Sequence, residues 1–186
     1  MYELTEQDLV RHCAPTLAGL KTGSLFCCPY RRREQVHTAV RALNGTLVKK
    51  GLRLIPLRCM AGRALLYLYR PKRLGRDLER PEARALLRRA GYCDLRHERC
   101  VGELIRRLRR AESFPHEIGL FLSYPPEDVR GFIEHGGKDW KCCGCWKVYG
   151  DAARAERLFD TYRKCTECYL KQRSMGISLD RLAVAE

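Results

Sequence analysis

Leu52-Arg53-Leu54-Ile55-Pro56-Leu57-Arg58-Cys59, then Ala61-Gly62, then Arg63-Ala64-Leu65-Leu66-Tyr67-Leu68-Tyr69-Arg70, decides the fold class. The first segment alternates apolar with polar residues, as a half-buried strand does. Pro56 cannot donate to a ladder, so this strand belongs at an edge or carries a bulge. Ala61-Gly62 is a turn signal. The second segment, apolar and aromatic over 64–69, reads as a strong strand. Together they predict a β-hairpin, and hence a sheet in a chain otherwise rich in helical periodicity.

Outward from the hairpin, the pattern changes to steps of three and four. Val36, Ala39, Val40 and Leu43 predict an amphipathic helix over 34–47, punctuated by Asn44-Gly45. Val101, Leu104, Ile105 and Leu108 line one face of a helix over 100–110, with Arg106, Arg107, Arg109 and Arg110 on the other. Pro125-Pro126-Glu127-Asp128 opens another helix, since proline fits a first turn and acids face its positive end, and Gly136-Gly137 closes it. Residues 3–13 form a short helix ending before Pro15. Ser24-Leu25-Phe26-Cys27-Cys28 is a strand stopped by Pro29. Residues 74–90 are helical with a break near Pro81, and 118–122 is a short apolar strand or helix. Residues 143–149 form a last strand, and a helix runs from Ala152 to Tyr169. The tail over 175–186 is peripheral on this reading. Five strands interleaved with six helices give one α+β domain over 1–186, its mixed, largely antiparallel sheet covered by helices.

The chain has 186 residues, 36 Lys+Arg against 22 Asp+Glu, and a net charge of +14. Apolar residues make up 45%, which excludes a disordered or collagen-like chain. No apolar run reaches the ~20 residues of a membrane span. The start lacks the basic and apolar regions of a signal peptide, so the expected compartment is the cytoplasm. The basic excess is mostly arginine, dense at Arg31-Arg32-Arg33, Arg88-Arg89 and 106–110. Solvated helix faces account for such arginines. Nucleic-acid or acidic-partner binding requires in addition that they gather on one face.

Eleven cysteines without an export signal point to thiols used as buried side chains, metal ligands or redox groups. Cys142 with Cys145 and Cys165 with Cys168 are two C-x-x-C pairs at a spacing that suits a four-thiolate zinc site. Against this, Cys165 also continues the helical seam of Leu158 and Tyr162. His12-Cys13 at a helix end offers a ligand pair or a thiol of altered acidity. His116 precedes an apolar segment, as a ligand or general base would, but Leu120 breaks any H-E-x-x-H pattern. Trp140-Lys141 and Trp146-Lys147-Val148-Tyr149 interleave aromatic and basic residues, as a base-stacking surface does and as a buried strand also does. No phosphate-binding glycine loop, dinucleotide fingerprint or nucleophile elbow is present.

Four strings together resemble a known family. They are His12-Cys13-Ala14-Pro15-Thr16-Leu17-Ala18-Gly19-Leu20-Lys21, Phe114-Pro115-His116-Glu117-Ile118-Gly119-Leu120-Phe121-Leu122, Tyr124-Pro125-Pro126-Glu127-Asp128-Val129 and Gly144-Cys145-Trp146-Lys147-Val148-Tyr149-Gly150-Asp151. They resemble DUF3793, a bacterial family, mostly clostridial, of unknown function. The resemblance spans nearly the whole chain and implies a single cytosolic domain but no catalytic residue. It also implies genes set beside those of ferrous-iron transport and flavodoxin, and so metal or redox physiology. Cys13, His116, Cys145 and Cys165 lie on the family-like strings, whereas Cys142, Cys143 and Cys168 look particular to this chain. The resemblance therefore favours a site of Cys13, Cys145 and Cys165 with His12 or His116, for zinc or iron, over the four-thiolate pairing.

Three expectations follow. The first is an accessory protein in transition-metal handling or thiol redox chemistry, working with a redox or metal-transport partner. The second is a nucleic-acid or acidic-partner binding module. The third is an enzyme using Cys13 or Cys145 as nucleophile with a histidine base.

Overall fold

The computed structural model describes residues 4–110 and 114–186. In chain order the elements are α1 (Glu6–Leu17), β1 (Gly23–Pro29), α2 (Arg33–Leu47), a 3₁₀ turn (Val48–Lys50), β2 (Arg53–Met60) and β3 (Arg63–Tyr69). There follow α3 (Pro71–Glu79), α4 (Pro81–Arg89), α5 (His97–Arg110), α6 (Ile118–Phe121) and α7 (Pro126–Glu134). Last come β4 (Cys142–Cys143), β5 (Lys147–Val148), α8 (Ala152–Ser174) and α9 (Leu179–Leu182). The protein is α+β. The chain divides into two compact units, a sheet unit of 1–72 with 164–186 and a helical unit of 73–163.

The sheet unit is built on the hairpin. β3 lies between β1 and β2, antiparallel to both. Side chains of β3 are buried on both faces, Ala64, Leu66 and Leu68 on one and Tyr67 and Tyr69 on the other, which is why its sequence is almost continuously apolar. Ala61 and Gly62 both have positive φ, 49° and 72°, as the two middle residues of a hairpin turn with the sheet's twist require. The Pro56 signal holds on both counts: β2 is an edge strand, and its register slips between Pro56 and Arg58. The extra residue, Leu57, is fully buried.

Ala64, Leu66 and Leu68 face one side of the sheet, with Phe26, Cys28 and Leu54. They pack with Leu9, Val10, Cys13 and Leu17 of α1 and Val36, Val40 and Leu47 of α2. On the other side Tyr67 and Tyr69 stack at 4.7 Å. Arg70 follows β3 and is 2% exposed. Its guanidinium donates to the carbonyls of Thr16, Leu17 and Val184 at 2.8–2.9 Å, covering the open C-terminal end of α1.

Three readings change here. Helix α1 does not stop before Pro15 but contains it. Proline has no N–H, so this position gives up the helical bond to the carbonyl of Arg11. Asn44 does not punctuate α2 but sits inside it. Its side-chain amide donates to Leu54 O at 2.8 Å and accepts from Leu54 N at 2.9 Å, so a helix side chain pairs with the outer edge of β2. The closing segment is not peripheral. Leu179, Leu182 and Ala183 are buried in the same core as α1, and Val184 N donates to Leu17 O at 3.0 Å.

In the helical unit the apolar faces of α3, α4 and α5 are buried through Leu74, Leu78, Ala83, Leu87, Cys100, Leu104 and Leu108. Residues 118–122 resolve as a single helical turn with its C-cap, all of them buried. The strand expected over 143–149 is instead a two-plus-two hairpin, β4 with β5, turning at Gly144-Cys145-Trp146. Among the described residues five strands are thus present, all paired antiparallel, but in two sheets of three and two. The turn forms because Trp146 folds inward, stacking on Tyr124 at 4.7 Å and meeting the edge of Phe159 at 4.5 Å. A Cβ on Gly144 would collide with the Phe159 ring.

Candidate nucleic-acid interface

The clustering that composition leaves open occurs at the hairpin end of the three-stranded sheet. Pro29 pairs with Arg63, and Tyr30 N donates to Gly62 O at 2.8 Å. The next three residues, Arg31, Arg32 and Arg33, therefore leave β1 beside the β2–β3 turn. Arg33 Nη2 donates to Cys59 O at 3.1 Å, which fixes the start of α2 against β2. Tyr30 beside the Arg33 guanidinium holds it further towards its charged form. Arg58 reaches along β2 to Met60 Sδ at 2.9 Å. Five guanidinium groups thus share one end of one sheet, and all but Arg58 are on exposed residues. Among the described residues none of the five pairs with a carboxylate.

Charge is distributed in the same sense. The sheet unit carries 17 basic and 7 acidic residues, net +10, and the helical unit 19 and 15, net +4. Several of the helical unit's arginines pair with acids at short range: Arg106 and Arg107 share Glu103 at 2.5 and 2.7 Å, and Arg96 pairs with Asp94 at 2.6 Å. Hydrogen bonds from the Arg96 guanidinium and N–H hold the Asp94 carboxyl down at about 2.

Among the described residues, no three His, Cys, Asp or Glu side chains gather as a metal ion requires. Cys13 lies in the core of the sheet unit, and burial pushes its thiol well above the ordinary range, so it stays neutral there. His12 is stacked on Phe26 at 5.2 Å. Cys165 and Cys168 are one turn apart on α8, within the sheet unit. Burial, then Cys168, pushes the Cys165 thiol up to about 11, while Cys168 is exposed. Cys142 and Cys145 belong to the helical unit, flanking the tip of the β4–β5 hairpin. Burial raises the Cys142 thiol, with Glu156, Asp128 and Cys143 adding to the effect. Cys143 and Cys145 are exposed. His116 packs against Phe132, ring centres 4.9 Å apart.

The aromatic–basic strings divide. Trp140 is exposed, but Trp146 is buried. Lys141 and Lys147 donate to the carbonyls of Gly150 and Gly137 at 2.7 and 2.6 Å, so they hold their own loops together. Sequence reasoning missed three groups. Arg58 and Arg63 read only as polar positions of strands, and pairing register is what joins them to Arg31–Arg33. Asp128 reads as a helix-start acid, yet it is buried and accepts from Trp146 Nε1, Tyr149 N and Gly150 N, each at 2.7 Å. Glu117 is likewise buried and accepts from Tyr92 Oη at 3.1 Å and Arg107 Nη1 at 3.4 Å. The two strings around these acids are thus read largely as architecture.

No helix of the described residues is long and apolar enough to cross a membrane. No curated protein and no solved structure matches the chain. One family model does match, over residues 9–183, and on that coverage the chain belongs to DUF3793, described as proteins of unknown function.

Proposed function

We propose that this protein binds the phosphate backbone of a nucleic acid through the arginine-rich end of its three-stranded sheet. The observation that carries the reading is the convergence of Arg31, Arg32, Arg33, Arg58 and Arg63 without a paired carboxylate. Like charges gathered this way raise the local potential and attract a polyanion. Guanidinium groups present forked donors that match phosphate oxygens, and this cluster uses arginine alone. A row of separate cations suits phosphates spaced along a strand, and the half-buried Tyr30 among them supplies a ring on which a base can stack.

The test is anisotropy of a labelled single-stranded oligonucleotide of about 20 residues, titrated from about 50 mM salt upward. Five phosphate contacts on a single strand give a log–log salt slope of about −3.5. The variant R31A/R32A/R63A is expected to shrink that slope by about 2 units and weaken binding more than about tenfold. The variant R88A/R109A/R110A, in the helical unit, leaves the slope in place. Absence of binding at low salt, or an unaltered slope in the first variant, overturns the reading.

A second reading, in transition-metal handling or thiol redox chemistry, is favoured by the thiols of the β4–β5 hairpin. Cys142, Cys143 and Cys145 are close in sequence, and two of them face solvent. Zinc and iron content of protein purified without added metal tests it. Bound metal that is lost in C142S/C145S supports it, and metal-free protein whose exposed thiols all titrate as independent groups ends it.

A further inference from the structure

The helical unit contains a cavity of about 440 Å³ with no part in the proposed nucleic-acid contact. It lies among α4, α5, α7 and the segment 114–117. Its volume falls within the range of roughly 300–1,000 Å³ typical of small-molecule sites. One wall is apolar, made by Leu86, Ala90, Phe114 and Ile133. Phe114 is 45% exposed and Ile133 42%, so large apolar side chains stand uncovered beside it.

The polar lining has an odd number of arginines for its acids. Arg89 is paired with Glu134 at 3.5 Å, and Arg107 with Glu117 at 3.4 Å. The third arginine, Arg130 of α7, has no ion pair or hydrogen bond to any described residue. Counted over its lining, the cavity therefore keeps one surplus positive charge next to an apolar wall.

We propose that this cavity binds a small amphipathic monoanion, a carboxylic acid with an aromatic or branched aliphatic body. The carboxylate meets Arg130, whose fork matches two carboxylate oxygens. The body covers Phe114, Ile133, Leu86 and Ala90 and removes their apolar surface from water. A single negative charge balances the lining, whereas a phosphate dianion would place excess charge near Glu117 and Glu134. The site is independent of the arginine end of the sheet, so either proposal can fail alone.

Calorimetric titration of the full chain with 4-phenylbutyrate, 4-phenylbutanol and inorganic phosphate tests it. The carboxylate is expected to bind at least about tenfold more tightly than the alcohol or phosphate. Arg130→Ala is expected to weaken it about tenfold and Ile133→Lys to weaken it comparably, while R31A/R32A/R63A leaves it unchanged. Both Arg130 and Ile133 are exposed, and a wild-type circular dichroism spectrum confirms that each variant is folded. Equal affinity for carboxylate and alcohol, tighter binding of phosphate, or an Arg130→Ala protein that binds as the parent does overturns the proposal.

Discussion

A carboxylate shut away from water costs several kcal/mol unless donors meet its oxygens, and Asp128 meets that condition with three. One oxygen takes two backbone N–H groups of the 149–150 turn, and the other takes the Trp146 indole. The residue thereby joins the start of α7 to the β4–β5 hairpin. Asp128→Ala leaves those donors unmet in the interior, and each buried unmet group costs ~1–3 kcal/mol. Urea unfolding followed by Trp fluorescence is expected to show a loss of at least ~2 kcal/mol, because Trp146 reports on the same contact. An unchanged midpoint would mean the three donors find other partners. Gly131 belongs to this arrangement too, since a Cβ there would collide with the Tyr149 ring. None of this was legible in the sequence, where Asp128 looks like any acid in a first helical turn. Its depth depends on donors 18 to 22 residues further on, which no local pattern reports.

At the scale of elements, legibility followed periodicity. The β2–β3 hairpin, α5 and α7 repeat their apolar residues often enough to be read, and their ends carry turn or cap residues. Strands β4 and β5 have two residues each, too few to show any alternation. Asn44 misleads for a chemical reason. Asparagine in a helix interior usually signals a stop because its amide competes for backbone groups. Here it competes for the backbone of another element and pairs with Leu54 on both sides. Edge strands are commonly protected from further pairing, and this is one way to do it. Asn44→Ala exposes a fully buried Leu54 backbone to no partner, so a loss of ~1–3 kcal/mol in denaturant unfolding is expected. Asn44→Asp keeps the acceptor but removes the donor, and a stability between the two would confirm that both bonds count.

For the whole molecule, net charge was legible but its placement was not. Arg31–Arg33 are visible as a run, yet only strand register brings Arg58 and Arg63 to them. The cysteines show the converse. The C-x-x-C spacings are real, but spacing does not say whether a thiol is buried in a core, as Cys13 is, or open to solvent, as Cys145 is. The closing segment was misread because Leu179, Leu182 and Ala183 are too few to form a periodic pattern. Leu179→Ala should therefore behave as a core substitution, costing ~2–5 kcal/mol in denaturant unfolding. A change below ~0.5 kcal/mol, the surface range, would return that segment to the periphery.

The joining of α9 to α1 also orders events during synthesis. Residues 73–163 form one uninterrupted stretch, so every side chain of that unit has been made before residue 164. The sheet unit has to wait, because three of its core side chains and one of the three carbonyls that receive Arg70 emerge only with residues 179–184. Until then its hairpin is displayed with part of one greasy face uncovered, a period in which a nascent chain is open to chaperones and to misassembly.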